Sequence, residues 1–246
     1  LRAGVVQLLD RSEHAENAMS DSLIVARSTG QAQQLMLLFH GVGANAQDLV
    51  PLGHTLAAEF PDAFIVSVAA PYPFEGGGSG RQWFSVMGIS EENRLERVEA
   101  AMPAFVETVA RWQKEAGVGT DAVALIGFSQ GAIMALECTR DRPAIAGRVV
   151  SIAGRFATLP ETPNASTTLH MFHGKADPVI PYGFTVESAQ HLIDIGADVT
   201  ADVIPHVGHT ITQDVANLVI ERLRGHLPKR VWAAAMKAAR ESDSKE

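Results

Sequence analysis

A chain of 246 residues with 46% apolar side chains has material for one full-sized core and little for a second. Its formal charge of −8 excludes a general nucleic-acid backbone binder, which needs clustered Lys and Arg. The single cysteine, Cys138, excludes an intramolecular disulfide framework, and no apolar run reaches the ~18 residues of a membrane span.

Residue 1 is Leu and the first methionine is Met19, so residues 1–18 read as a disordered extension. Their apolar run at 4–9 is too short for a signal peptide, and Asp10, Glu13 and Glu16 follow it closely. Cytoplasm is then the default location. The folded body is expected over 19–228. Strands are predicted at 23–27, 35–40 and 63–69, with a helix at 45–60. Residues 76–80, Gly-Gly-Gly-Ser-Gly, read as a flexible loop; no Gly-Lys-Ser/Thr follows, so it is not a phosphate loop. A long helix at 91–116 sets Leu95, Val98, Met102, Phe105, Val109 and Trp112 three or four apart, the stripe of a helix packed on a sheet. Pro103 inside it predicts a kink or a break.

Further on, strands are predicted at 122–127, 148–153, 168–173 and 199–204, and helices at 130–140, 183–195 and 211–227. Cys138 lies in the helix at 130–140 and reads as a small core residue. Pro228 closes the body, and residues 229–246 read as a short helix over 231–240 with a charged tail. Several strands are apolar on both faces, which suits a mostly parallel sheet with helices on both faces. The fold class is α/β.

Gly127-Phe128-Ser129-Gln130-Gly131 stands between the strand at 122–127 and the helix that follows. Gly-x-Ser-x-Gly in that setting is a nucleophile elbow: the turn holds the hydroxyl clear of its neighbours, beside a base and over backbone N–H donors. A base and an orienting carboxylate must then come from later loops. Asp177 follows the strand at 168–173, on the side of the sheet where α/β sites gather. After the strand at 199–204 come His206 and His209; His209, just before the next helix, is the favoured base and His206 its competitor. The oxyanion needs two preorganised N–H groups, for which Gln130 and Val42, between Gly41 and Gly43, are the candidates. His206 and His209 could also be read as metal ligands, but no helix carries the pair and no third ligand has suitable spacing, so no metal is expected.

Gly41-Val42-Gly43-Ala44-Asn45-Ala46 also fits the dinucleotide fingerprint of a nicotinamide-dependent oxidoreductase. That reading requires an acidic residue at the end of the next strand, where the chain has Ser67-Val68-Ala69-Ala70; Asp62 stands at the wrong end. A non-catalytic scaffold of the same fold would be expected to have lost part of the Ser129, Asp177, His209 set. No cofactor is expected.

The segments 37–43, 81–86, 124–134, 159–162, His173-Gly174 with 177–180, and Gly208-His209 resemble the phospholipase/carboxylesterase family of serine hydrolases, which includes the acyl-protein thioesterases. The resemblance covers about 33–229. It implies an α/β-hydrolase fold with no large lid domain, no cofactor, a small ester or thioester as substrate, and Ser129, Asp177 and His209 as the triad. The family commonly carries Asp after the Gly-x-Gly of the oxyanion turn, where this chain has Ala44; no catalytic group is lost by that change. Phe74, Trp83 and Phe84 are the candidates for the wall of the acyl pocket.

Overall fold

Leu35, Leu37 and Phe39 face one side of their strand, Met36 and Leu38 the other, and all five are buried. Such a strand needs cover on both faces. The structure is a computed structural model describing residues 21–140 and 142–243; the extension expected at 1–18 lies outside them. In chain order the strands are β1 (Leu23–Ala26), β2 (Gln34–Phe39), β3 (Ala63–Val68), β4 (Tyr72–Pro73), β5 (Arg81–Gln82), β6 (Val123–Phe128), β7 (Arg148–Ile152), β8 (Thr168–Gly174) and β9 (Asp198–Ile204). The helices are α1 (Val50–Glu59), α2 (Glu91–Ala116), α3 (Gln130–Glu137), α4 (Gly183–Asp194), α5 (Gln213–Gly225) and α6 (Lys229–Asp243).

Seven strands make one sheet in the order β1-β3-β2-β6-β7-β8-β9, so β6 is central. The edge strand β1 pairs antiparallel with β3, and the other neighbours are parallel. On one face Val98, Met102, Phe105 and Val109 of α2 join α3 and Leu192 of α4 in a single apolar layer. The opposite layer holds Leu52 and Leu56 of α1 with Val215, Val219 and Leu223 of α5. This is a mostly parallel α/β-hydrolase-like sheet with helices on both faces. Between Ser129 and Asp177 the elements are α3, β7 and β8, which leaves no room for a lid domain.

The differences from the expected elements are local. Pro103 does not break α2, which is continuous over Glu91–Ala116. A proline inside a helix costs about 3 kcal/mol, whereas each fully buried large apolar side chain contributes about 1.5–3 kcal/mol. Four such side chains outweigh one proline. The helix expected at 45–60 is instead a 3₁₀ turn, Ala46–Leu49, followed by α1 with its proline in the first turn. The Asn45 side chain caps the turn by accepting from Gln47 N at 2.9 Å. Residues 76–80 are the tip of a hairpin, since β4 pairs with β5 and Phe74 N donates to Gly80 O at 2.8 Å. Cys138 is buried, and burial pushes its thiol up to about 12.

Candidate active site

The C-terminal ends of β2, β6, β8 and β9 deliver one group each to a common crevice. Ser129 sits between β6 and α3 with φ 54° and ψ −117°. A side chain at Gly127 would come within 2.5 Å of the Ala132 backbone, and one at Gly131 within 2.8 Å of the His40 carbonyl. Only glycines let strand and helix approach closely enough to force the serine into this conformation. The Ser129 hydroxyl lies 2.9 Å from His209 Nε2, and His209 Nδ1 lies 2.7 Å from Asp177 Oδ2. With Nδ1 donating to the carboxylate, Nε2 is left as the acceptor of the serine proton. His206, the competing histidine, is an exposed turn residue at φ 64°.

Asp177 is fixed from several sides. Its Oδ1 accepts from Val179 N at 2.8 Å and Ile180 N at 2.9 Å. Burial alone would raise its pKa, but the His209 hydrogen bond and those two N–H groups together outweigh burial and hold it below the ordinary carboxylate value. Lys175 N and Ala176 N donate to Ile204 O and Val207 O at 2.8 and 2.9 Å, joining the acid's loop to the histidine's. Beneath them His173 is buried and held neutral chiefly by that burial; its Nε2 donates to Ile180 O at 2.8 Å.

The turn after β2 supplies the remaining side. Val42 and Gln130 line the same pocket as Ser129. Gln130 is the first residue of α3, where an N–H has no intrahelical acceptor. The neighbouring donors are engaged: Gly43 N bonds Arg81 O at 2.9 Å and Ala44 N bonds Gly41 O at 3.3 Å, while Ala44 O accepts from Arg81 N at 2.8 Å. This two-way backbone bridge to β5 supports the turn at Ala44, and beside it the Asp48 carboxylate accepts from Asn45 N at 2.8 Å. His40, also buried and neutral, donates from Nδ1 to Gly41 O at 2.7 Å and accepts from Ala70 N at 3.1 Å. Among the described residues no three His, Cys, Asp or Glu side chains are grouped as a metal site.

The pocket before Ser129 encloses about 330 Å³, with Phe84, Ile133, Ile180 and Phe184 as apolar walls. Of the three expected wall aromatics, Phe84 alone is there. Trp83 is a core residue, 2% exposed, packed edge-on to Phe39 and Phe105 and donating from Nε1 to His40 O at 3.0 Å. That bond gives the buried indole N–H its acceptor. Phe74 packs under the hairpin against Gly43, and with Trp83 it lines a separate hollow.

Residues 20–227 match the profile of the Phospholipase/Carboxylesterase family. The chain belongs to that family. It is 46% identical over 223 residues to Esterase YpfH of Escherichia coli (strain K12), covering 91% of this chain and 96% of that protein. It is 25% identical over 190 residues to Acyl-protein thioesterase 1 of Saccharomyces cerevisiae, covering 71% and 83% respectively. The crystal structure of esterase PE8 superposes with a TM-score of 0.73 at 29% identity, covering 84% of this chain and 97% of that one.

Several contributors to this candidate site of a Phospholipase/Carboxylesterase family member carry no local sequence signal. The Gln130 side chain accepts from Trp83 N at 2.8 Å and donates to Phe84 O at 2.7 Å, so it holds the pocket wall as well as offering a backbone N–H. Glu91, Arg94, Arg155 and Phe184 also face the pocket, from α2, the segment after β7, and α4.

Proposed function

We propose that this chain is a serine carboxylesterase that hydrolyses small carboxylic esters through an acyl-enzyme, with thioesters open to the same steps. The observation that carries the reading is the continuous relay from Ser129 through His209 to Asp177, 2.9 and 2.7 Å long. Similarity to Esterase YpfH supports ester hydrolysis, and similarity to Acyl-protein thioesterase 1 favours the thioester alternative. A volume of about 330 Å³, at the small end for ligand pockets, favours compact substrates.

In this reading His209 takes the proton from Ser129 as the hydroxyl attacks the carbonyl carbon, and Asp177 keeps the imidazole in the tautomer that presents Nε2. The N–H groups of Val42 and Gln130 stabilise the oxyanion. The protonated His209 then gives its proton to the departing alcohol or thiol. Water, activated by the same histidine, releases the acid and restores Ser129.

A fluorophosphonate probe followed by peptide mapping tests the assignment. Ser129 is expected to carry the label, and Ser129→Ala is expected to hydrolyse short p-nitrophenyl esters about 10⁴-fold more slowly or worse. Label on a different serine, with Ser129→Ala as active as the parent, would remove the nucleophile from this reading.

A further inference from the structure

The charged side chains facing the pocket of Ser129 are two arginines, Arg94 and Arg155, and one carboxylate, Glu91. They leave one positive charge in excess, opposite in sign to the chain as a whole, at −8. An uncharged ester has no use for that charge.

The two arginines differ in what they already hold. Arg155 donates from Nη1 and Nη2 to the two oxygens of Glu91 at 3.0 and 2.7 Å, and from Nε to Phe156 O at 3.1 Å. Its guanidinium also lies 3.6 Å from the Phe184 ring centroid. All three nitrogens are committed, and this arginine is a fixed post. Arg94 reaches Glu91 Oε1 through Nη2 alone, at 3.1 Å, and its Nε is buried with no partner. Of its five donors, those on Nη1 have no partner among the described residues and stay open to a ligand, whereas the buried Nε is closed to one. Arg94 is the fourth residue of α2, close to the helix's N-terminal end, where a cation opposes the helix dipole. Its i,i+3 pair with Glu91 supports the helix but uses only one of its three nitrogens. Glu91 stays ionised across working pH because Arg155, and after it Arg94, hold its pKa below the usual value. Glu91 thus offsets one of the two arginines that line the pocket and leaves the other uncompensated by a lining carboxylate.

We infer that the site is built for an ester carrying a carboxylate near the scissile group, received by Arg94 while Phe84, Ile133 and Ile180 pack the short apolar part between. This rests on the reading of Ser129 as an ester nucleophile. The carboxylate belongs either to the acid half of the ester or to the alcohol half, and the two are separable by experiment.

The test compares kcat/KM for matched pairs of esters on this chain. Ethyl hydrogen glutarate against ethyl valerate puts the charge in the acid half; 3-(butyryloxy)propanoate against propyl butyrate puts it in the alcohol half. At least one charged ester is expected to exceed its neutral partner by about tenfold or more, the range of a charge-assisted hydrogen bond. That ratio is expected to fall toward one in Arg94→Gln, to rise in Glu91→Gln, and to shrink with added salt. Should Arg94→Gln not fold, the parent ratio and its change in Glu91→Gln decide the matter. Neutral esters hydrolysed as well as or better than both charged partners would overturn the inference and leave the esterase reading standing. No hydrolysis of any ester, with Ser129 unlabelled by fluorophosphonate, would bring down that reading and the inference with it.

Discussion

Ser129 is the residue where backbone strain and chemistry meet. A non-glycine residue at positive φ outside the common wells costs on the order of 1–3 kcal/mol, and the close fit of α3 against β6 sustains it. The two histidines of the β9 loop, three positions apart, then separate by geometry. His209 touches both Ser129 and Asp177, while His206 is exposed and touches neither. His209→Ala is expected to lower kcat/KM about as far as Ser129→Ala, and the double variant no further, because members of one relay are not additive. His206→Ala is expected to stay within about tenfold of the parent in the same steady-state assay; the opposite ranking would transfer the base to His206. At this scale the sequence was most informative where a group follows a strand end. Ser129, Asp177 and His209 all do. Arg94, Arg155 and Phe184 come from helices and a long connection whose facing depends on how α2 and α4 dock, and nothing in their local sequence encodes that.

Among the elements, the hairpin of β4 and β5 was the least legible, because two-residue strands carry no periodicity. Its glycine run suggested free motion, yet Gly80 lies so close to Gly43 that an added Cβ would fall within 2.6 Å of the Gly43 carbonyl carbon. The bridge between Arg81 and residues 43 and 44 passes through this contact. Gly80→Ala is therefore expected to push the turn that carries Val42, lowering kcat by about tenfold to a hundredfold. Unfolding temperature is expected to change little, because the hairpin lies at the surface. Gly225→Ala, which meets open space at the end of α5, is the matched control. Equal kcat for Gly80→Ala and the control would show that the turn does not depend on the hairpin. The long helix was legible to the residue because Ser90 begins it, Gly117 ends it at φ 67°, and a stripe of apolar residues runs between. Pro103 misled only because local propensity was weighed without the burial on either side of it.

Across the whole molecule, the alternation of strands and helices was readable because each strand is a short apolar run bounded by turn residues. What could not be read was the set of polar groups buried between layers. His40, His170 and His173 are each at most 1% exposed, and burial is the leading cause that lowers the pKa of each. His170 is brought to about 3, with Arg148 and His226 also opposing its protonation and Asp198 only partly offsetting them. Its neutral ring donates from Nδ1 to Thr200 Oγ1 at 2.8 Å and accepts from Arg148 Nη1 at 3.3 Å. A histidine whose folded pKa lies below its unfolded value stabilises the fold fully above the unfolded value, near 6.5. As pH falls through 6.5 the unfolded chain takes up protons that the folded chain refuses. Stability therefore declines from there downward, by up to about 1.4 kcal/mol per pH unit for each such ring, and for His170 the decline continues to about pH 3. Urea unfolding between pH 7.5 and 4.5 is expected to show a free energy that is flat above pH 7 and falls below 6.5. His170→Gln, remote from Ser129, is expected to keep ester hydrolysis and to reduce the acid slope by about one proton. An unchanged slope in that variant would mean that the His170 ring takes its proton inside the fold, with Arg148 giving way.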